Sequence, residues 1–458
     1  MTKQTYDYDV IIIGGGAGGS VAAANLAAAG KKVALVEAQT IGNTSLYSES
    51  MPSKIMLEIA ALYEQVQRAS KFGIRSGGIG YNYPTMIAWK DSVITQSKND
   101  ESAAYFKSVG VTLLHGRAHF LTPHEISIGQ QHLTSAHFIV ATGSSNFIPD
   151  VQNIQNVPYL TAQSANKLTR PPKTLFIIGA GSTGCEFATL FSVYGTKVFL
   201  ADIEPRILRD EDEEVSDAIQ KSLTDQHHTK LLLNTRVVSV EKRSFGYQVA
   251  FTHASKTYSV KVDALLVTCG KTPNLDVGLE NAGVEFNPQG IITNHFMQTN
   301  VPHIFATGDV VGPYHLTNMA LHQSRTAAHN IIHPKKQLLS SSNDVARTIW
   351  TLPRVASVGL TENDCMKRII DYKKSVAQMS ISPASVIKDN RVGFVKLIID
   401  RKKKYLLGAS IVGPESDAMI HELALAVSKK LTVEDLANVI RAFPSPSDAI
   451  RSAATKLL

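Results

Sequence analysis

The chain holds 458 residues, of which 44% are hydrophobic and 19% charged, with a formal net charge of +7. At about 150 residues per domain this length predicts roughly three domains, and the low charged fraction excludes a disordered chain. The three cysteines, at 185, 269 and 365, exclude a disulfide-stapled secreted scaffold and show no metal-ligand spacing, so a protein of the reducing cytoplasm is expected.

Residues 9–13 (DVIII) follow an acidic lead without basic residues, which reads as a buried strand rather than a signal peptide. Gly14, Gly16 and Gly19 come next, with Ala17 and Gly18 among them. An alanine-rich helix over 21–29 and a strand over 32–37 ending on Glu37 complete a βαβ unit. In such a unit the glycines allow a tight turn and close approach of a pyrophosphate. The helix N-terminus faces the phosphates, and the closing acid binds a ribose hydroxyl. The unit recurs. A strand over 174–178 leads into Gly179, Gly181, Ser182, Thr183 and Gly184, a helix follows through Glu186, and a strand over 197–202 closes on Asp202. In both units the acid lies 23 residues beyond the first glycine (37 less 14, 202 less 179). Two fingerprints predict two dinucleotides.

Three more apolar strands end in small residues: at Ala141, Thr142 and Gly143, at Gly270, and at Gly308 and Asp309. A polar, serine-rich linker spans 334–346. Beyond it, strands over 394–399 and 406–412 and helices over 416–429 and 433–441 predict a separate α+β domain. Thr432 and Asp435 form a capping-box pattern before the last of these helices. The basic run 401–404 lies between two strands and reads as a solvated hairpin turn, so no nucleic-acid partner is expected. No stretch reaches about 18 uninterrupted apolar residues, so no membrane span is expected. Cys185 and Cys269 read as packing residues and Cys365 as an exposed one. His322 and His421 have no ligand at metal spacing, so no metal site is expected.

Taken in this order, the motifs resemble the pyridine nucleotide-disulfide oxidoreductases, the family of dihydrolipoamide dehydrogenase and mercuric reductase. The resemblance runs over essentially the whole chain and includes residues 116–118, 141–143, 159–161, 270–274, 306–309, 356–362 and 408–414. It implies an α/β fold of two Rossmann-like dinucleotide-binding domains plus a C-terminal α+β dimerisation domain. The FAD-binding domain falls on 1–148 and 275–343, the NAD-binding domain on 149–274, and the dimerisation domain, which forms a homodimer, on 344–458. The implied cofactors are FAD and NAD(H). The implied cofactor-binding residues are Gly14, Gly16, Ala17, Gly18, Gly19, Glu37, Ala38, Asn43, Thr44, Lys54, Gly116, Ala118, Ala141, Thr142, Gly143, Gly179, Gly181, Ser182, Thr183, Gly184, Asp202, Val237, Gly270, Gly308, Asp309, Thr317 and Ala320. Lys54, paired with Glu186 and set beside the flavin's reactive nitrogen, is the implied catalytic pair, since a cation there stabilises negative charge on reduced flavin. Asp202, reinforced by Glu204, favours NADH because a carboxylate accepts from a 2′-hydroxyl and repels a 2′-phosphate.

The departures from the family pattern bear most on function. Where the family carries two redox cysteines, this chain has Ser45 and Ser50, and a hydroxyl forms neither a disulfide nor a thiolate near neutral pH. The family's C-terminal His-Pro is Phe443-Pro444 here, and a phenyl ring transfers no proton. Asn43, Tyr47 and Glu49 also differ, and the joint loss favours natural divergence from thiol chemistry over an engineered knock-out. The leading reading is an FAD-dependent NADH oxidoreductase that passes electrons from flavin to a small non-disulfide acceptor such as a quinone. The alternatives are a nicotinamide nucleotide transhydrogenase, against which Asp202 speaks, and a redox-silent dimeric flavoprotein scaffold or sensor. Tyr47, Glu49 and Tyr81 are candidates for a new acceptor pocket.

Overall fold

Residues 10–13 and 33–36 are apolar without a break and buried, which suits central strands of a parallel sheet covered on both faces. The computed structural model describes residues 5–39, 46–75, 77–97 and 102–458. Asn43, Thr44 and Ser45 lie outside the described residues. Two compact units result: Met1–Pro52 with Ala88–Phe147 and Gly270–Ser342, and Ser53–Ile87 with Ile148–Cys269 and Asn343–Leu458.

In the first unit, strands Thr112–His115, Val33–Glu37, Tyr8–Ile13, Gln131–Val140 and Ile304–Ala306 lie side by side, all parallel. Alternate residues point to opposite faces. Val10, Ile12, Leu35 and Ile139 meet Ala22 and Leu26 of helix Ala17–Ala28 and Ala327 and Ile331 of helix Thr317–Ile332. On the other face, Ile11, Ile13, Ala34 and Phe138 meet Phe120, Ile126 and Leu279. The two helices are tied where the Ser324 hydroxyl donates to the Gly18 carbonyl.

The second unit repeats the plan. Strands Lys230–Leu232, Lys197–Ala201, Thr174–Ile178 and Ala264–Val267 are parallel neighbours. A three-stranded antiparallel sheet, Thr235–Arg243, Gly246–His253 and Lys256–Val262, is inserted in the chain between the parallel strands Lys230–Leu232 and Ala264–Val267. The C-terminal part is a five-stranded antiparallel sheet built from Arg347–Ile349, Val355–Gly359, Leu406–Val412, Phe394–Asp400 and Tyr372–Gln378. Ile420, Leu423, Leu436, Ile450 and Ala453 from three helices pack on its Val395, Leu397 and Ile411. No helix among the described residues is long and apolar enough to cross a membrane.

Several local expectations are met or corrected. Residues 401–404 form the turn between two antiparallel strands, with the Asp400 carboxylate accepting from the Lys402 and Lys403 amides at 2.9 and 2.7 Å. Thr432 and Asp435 close a full capping box. The first fingerprint helix begins at Ala17 rather than 21, because Gly16 is its extended N-cap and Gly18 and Gly19 already belong to its first turn. The helix expected over 433–441 stops at Asn438. There the Arg441 guanidinium donates to the Leu436 carbonyl (3.0 Å), taking the acceptor that another helical residue needs. Cys365 is fully buried, not exposed, as the buried residue of the capped helix Glu362–Lys367.

The buried ionisable groups set a pH dependence. Burial lowers the imidazole pKa values of His137, His227 and His303 below 6.5. The unfolded chain therefore binds more protons than the native one near pH 6, and their contribution is present above 6.5 and lost as pH falls. Glu214 is held at about 2, against the raising effect of burial, by Lys396 and Lys374, and Glu362 is lowered by the same lysines. Their contribution is present above 4.5 and lost as pH falls toward 2. Glu64 and Glu211, raised above 4.5 by burial, act in the opposite direction in the window just above 4.5, between the two stages. Thermal unfolding across acid buffers is expected to show Tm falling first through the histidine range and again below the carboxylate range. A Tm that holds flat from neutral pH to about pH 5 contradicts the first stage.

Candidate nucleotide-binding sites

In the first unit the paired registers of the parallel strands put Gly14, Glu37, Ala141 and Thr307 at one carboxyl edge, where open α/β sheets take ligands. Gly14 has φ +106°, and a Cβ there would lie 2.4 Å from the Ala141 carbonyl oxygen. A Cβ on Gly19 would lie 1.8 Å from the Gly14 carbonyl oxygen, whereas one on Gly16 would meet nothing within 4 Å. The loop is thus closed behind and open in front, at the start of a helix whose first amides lack intrahelical acceptors. Glu37 is locked beside it, Oε2 accepting from the Gly15 amide and Oε1 from the Gln39 amide, both at 2.7 Å. Ala38 lies exposed just beyond.

The remaining first-unit candidates frame this edge. Gly116, at φ +145°, donates its amide to the Glu37 carbonyl (2.9 Å), and Ala118 opens the next strand with its side chain buried. Thr142 donates to the Asn274 carbonyl (2.7 Å), Asn274 returns a bond to the Thr142 carbonyl (2.9 Å), and the Asn274 amide binds the Gly143 carbonyl (3.0 Å). Asp309 accepts from Ser144 at 2.6 Å, and the Gly308 amide donates to Gln323 at 2.7 Å. Thr317 starts the helix that carries Ala320, whose methyl lies 3.4 Å from where a Gly308 Cβ would sit. Gly270 also falls in this unit, at φ +112°, its carbonyl accepting from Phe147. Gly15, Ser144 and Gln323 escaped the sequence reading; Ser144 directly follows the 141–143 motif, which is the only local signal. The buried Thr307 hydroxyl, 3.3 Å from where a Gly18 Cβ would stand, has no protein partner.

The second unit reproduces this geometry. Gly179 has φ +104°, with a Cβ placed 2.5 Å from the Thr268 carbonyl oxygen; Gly184 stands 1.9 Å from the Gly179 carbonyl oxygen by the same measure; Gly181 is open. Ser182 and Thr183 begin the helix. Asp202 Oδ2 accepts from the Ala180 amide (2.6 Å) and Oδ1 from the Glu204 amide (3.0 Å). The nearby arginines are already engaged. Arg209 pairs with Glu204 at 2.5 Å, and Arg206 donates to the Glu211 carbonyl, Ser216 and the Arg209 carbonyl. The side chain of Val237 lies in the apolar core, so only its backbone faces away from that core.

Lys54 and Glu186, 132 positions apart, meet at 2.6 Å. Glu186 is buried in the first turns of helix Ser182–Val193, and its other oxygen accepts from the Trp350 amide (2.9 Å). Ser50 ends a π-helical turn, Leu46–Ser50, in which Tyr47 donates to the Ser97 carbonyl (3.0 Å) and Glu49 pairs with Lys271 (2.6 Å). Tyr81, in the second unit, donates to the Tyr194 carbonyl (2.9 Å). Each of the three candidates for an acceptor pocket is thus committed within its own unit. Cys185 is buried, its thiol pKa pushed up by burial and by the carboxylates of Glu186 and Asp202. Burial likewise pushes Cys269 up to about 12 and Cys365 up to about 11.

Residues 8–327 match the model of the pyridine nucleotide-disulphide oxidoreductases, and 345–454 match that family's dimerisation domain. The chain belongs to the pyridine nucleotide-disulphide oxidoreductase family. It is 32% identical to a dihydrolipoyl dehydrogenase of Chlamydia muridarum over 96% of this chain and 94% of that one. It is 29% identical to a mercuric reductase of Staphylococcus aureus over 98% of this chain and 82% of that one. An HOCl-induced flavoprotein disulfide reductase from Escherichia coli shares the fold at TM-score 0.85 and 23% identity, covering 98% and 99% of the two chains. LpdA from Mycobacterium tuberculosis does so at 0.86 and 24%, with the same coverage. The family consists of flavin-dependent oxidoreductases that bind FAD and NAD(H), and the two cradles, each closed behind by glycine and open before a helix N-terminus, fit two dinucleotides.

Proposed function

We propose that this member of the family is an FAD-dependent NADH oxidoreductase that lacks the redox disulfide and delivers electrons to a non-disulfide acceptor such as a quinone. The observation that carries the reading is the absence of cysteine from the first 184 residues, with Ser45 and Ser50 at the positions where the family keeps its thiols. The three existing thiols are held protonated by burial. FAD, when bound, supplies the ring that accepts electrons from reduced nicotinamide without help from cysteine. The chain's part is to bind and align. The glycine loops seat the two pyrophosphates, Glu37 and Asp202 accept from ribose hydroxyls, and Lys54, oriented by Glu186, places a fixed cation for charge that develops on the flavin.

The domain boundaries follow the same reading: FAD on 1–148 and 275–343, NADH on 149–274, and pairing of two copies through 344–458. The exposed Ile440 and Phe443 in that last segment, 99% and 79% accessible in the single chain, support a homodimer. The cysteine count supports a cytoplasmic setting. The basic turn supports no nucleic-acid partner, since Arg401 and Lys404 are paired with Asp371 and Glu434.

The test is an anaerobic titration of the purified yellow protein. NADH is expected to bleach the flavin at about one equivalent. No long-wavelength band of a thiolate against oxidised flavin should appear, and a quinone should restore the colour. Dihydrolipoamide, oxidised glutathione and mercuric ion should give no turnover. Turnover with any disulfide overturns the reading, and a flavin that stays oxidised under excess NADH favours the redox-silent scaffold.

Cofactor choice gives a further prediction. Asp202→Ala removes a charged acceptor worth about 1.5–3 kcal/mol, so KM for NADH should rise about tenfold or more while NADPH becomes a better substrate. Steady-state kinetics with both nucleotides decide it; a wild-type preference for NADPH contradicts the assignment of Asp202.

A further inference from the structure

Residues 203–212 join strand Lys197–Ala201 to helix Glu213–Lys221, and they carry Glu204, Arg206 and Arg209. The segment is stitched to the glycine loop, because the Leu208 amide donates to the Ala180 carbonyl (2.9 Å) while the Ala180 amide binds Asp202. Arg206 braces it from within through the Glu211 carbonyl (2.9 Å) and Ser216 (3.0 Å).

Its far end is held by the C-terminal sheet of the same unit. Lys396, in strand Phe394–Asp400, is fully buried, between the buried apolar Val395 and Leu397. Its Nζ pairs with Glu214 (2.5 Å), Asp212 (3.4 Å) and Glu362. Lys374, on the adjacent strand, bridges Glu214 (3.1 Å) and Glu362 (2.7 Å). Asp212 also accepts from the Glu362 amide (3.0 Å), and Arg347 lies 3.5 Å from Glu211. A lysine without solvent is costly to bury and persists only with a full set of partners. Lys396 reaches Glu362 beside its own sheet, and Asp212 and Glu214 where the 203–212 segment enters helix Glu213–Lys221.

We propose that Lys396 is a positioning residue for the nucleotide: through Asp212 and Glu214 it fixes the segment that presents Asp202 and Glu204 to the adenosine ribose, so the C-terminal domain sets affinity for NADH. The proposal rests on the reading of Asp202 as the ribose acceptor.

The test uses the FAD-loaded protein, with ADP-ribose binding followed by calorimetry and amide exchange of 203–212 followed by mass spectrometry. Lys396→Met should speed exchange across that segment and weaken ADP-ribose about fivefold, raising KM for NADH more than it changes kcat. Unchanged exchange overturns the proposal even if the melting temperature drops, because Lys396 then serves stability alone. Faster exchange with unchanged ADP-ribose affinity overturns the proposal, whereas an Asp202→Ala variant that binds ADP-ribose as tightly as the parent protein overturns the reading of Asp202. Should Lys396→Met fail to fold, Glu214→Gln carries the test. Glu214 is partly exposed, the expected weakening is about twofold, and no change in exchange or affinity overturns the proposal.

Discussion

Gly184→Ala is expected to keep its yellow flavin but to be bleached by NADH about 100-fold more slowly, whereas Gly19→Ala is expected to be purified nearly colourless. Both glycines lie in helices, where alanine is intrinsically the better residue by about 1 kcal/mol, so conformation alone favours the change. Space decides against it. The new methyl would sit 1.9 Å from the Gly179 carbonyl oxygen in one loop and 1.8 Å from the Gly14 carbonyl oxygen in the other. Both obstacles are backbone and cannot swing aside, so the helix start must move off the strand. A displacement of about 1 Å in a group that positions reactants costs about 100-fold. The expected loss in kcat/KM for NADH is of that order in Gly184→Ala, with flavin content unchanged. Stopped-flow reduction and flavin absorbance measure the two effects separately. Normal reduction of Gly184→Ala would assign the nicotinamide nucleotide elsewhere.

Lys54→Met is expected to lose both stability and rate, and the two losses separate in a double variant. Removing the ammonium leaves the buried Glu186 carboxylate with the Trp350 amide as its remaining partner. Breaking a buried pair costs about 3–5 kcal/mol; Lys54 keeps 27% of its side chain exposed, so about 2–3 kcal/mol is the better expectation. Adding Glu186→Leu removes the orphaned charge and should restore most of the melting temperature. It should not restore flavin reduction, expected to fall about 100-fold once the fixed cation is gone. If the double variant recovers full rate, the pair is a structural strut and Lys54 has no electrostatic role.

How much of this was readable in advance depends on how local each constraint is. The two glycine loops were legible because each glycine answers to a neighbour a few residues away or to the strand beside it. The closing acids were legible for the same reason, and the structure shows Glu37 and Asp202 bound to the second residue of their own loops. The Lys54–Glu186 pair came only with the family resemblance, since nothing local links positions 132 apart. The Glu49–Lys271 pair spans 222 positions and left no trace in the pattern. Lys396 did leave one: a lone cation between Val395 and Leu397 in an apolar strand is a misfit that only a distant anion explains. The early stop of the helix at Asn438 was hidden because the group that ends it is an arginine side chain, and arginine is otherwise a good helix former.

The burial of Cys185 and Cys365 and the half-burial of Cys269 bear on how the protein meets chemical attack. Peroxide and alkylating reagents act on thiolates, and Cys185, Cys269 and Cys365 are almost wholly protonated near neutral pH. An electron path that crosses no sulfur cannot be halted at a sulfenic acid and needs no reductant to reopen it. On the proposed sulfur-free path, the protein is expected to keep working under peroxide that silences a dithiol enzyme of the same shape.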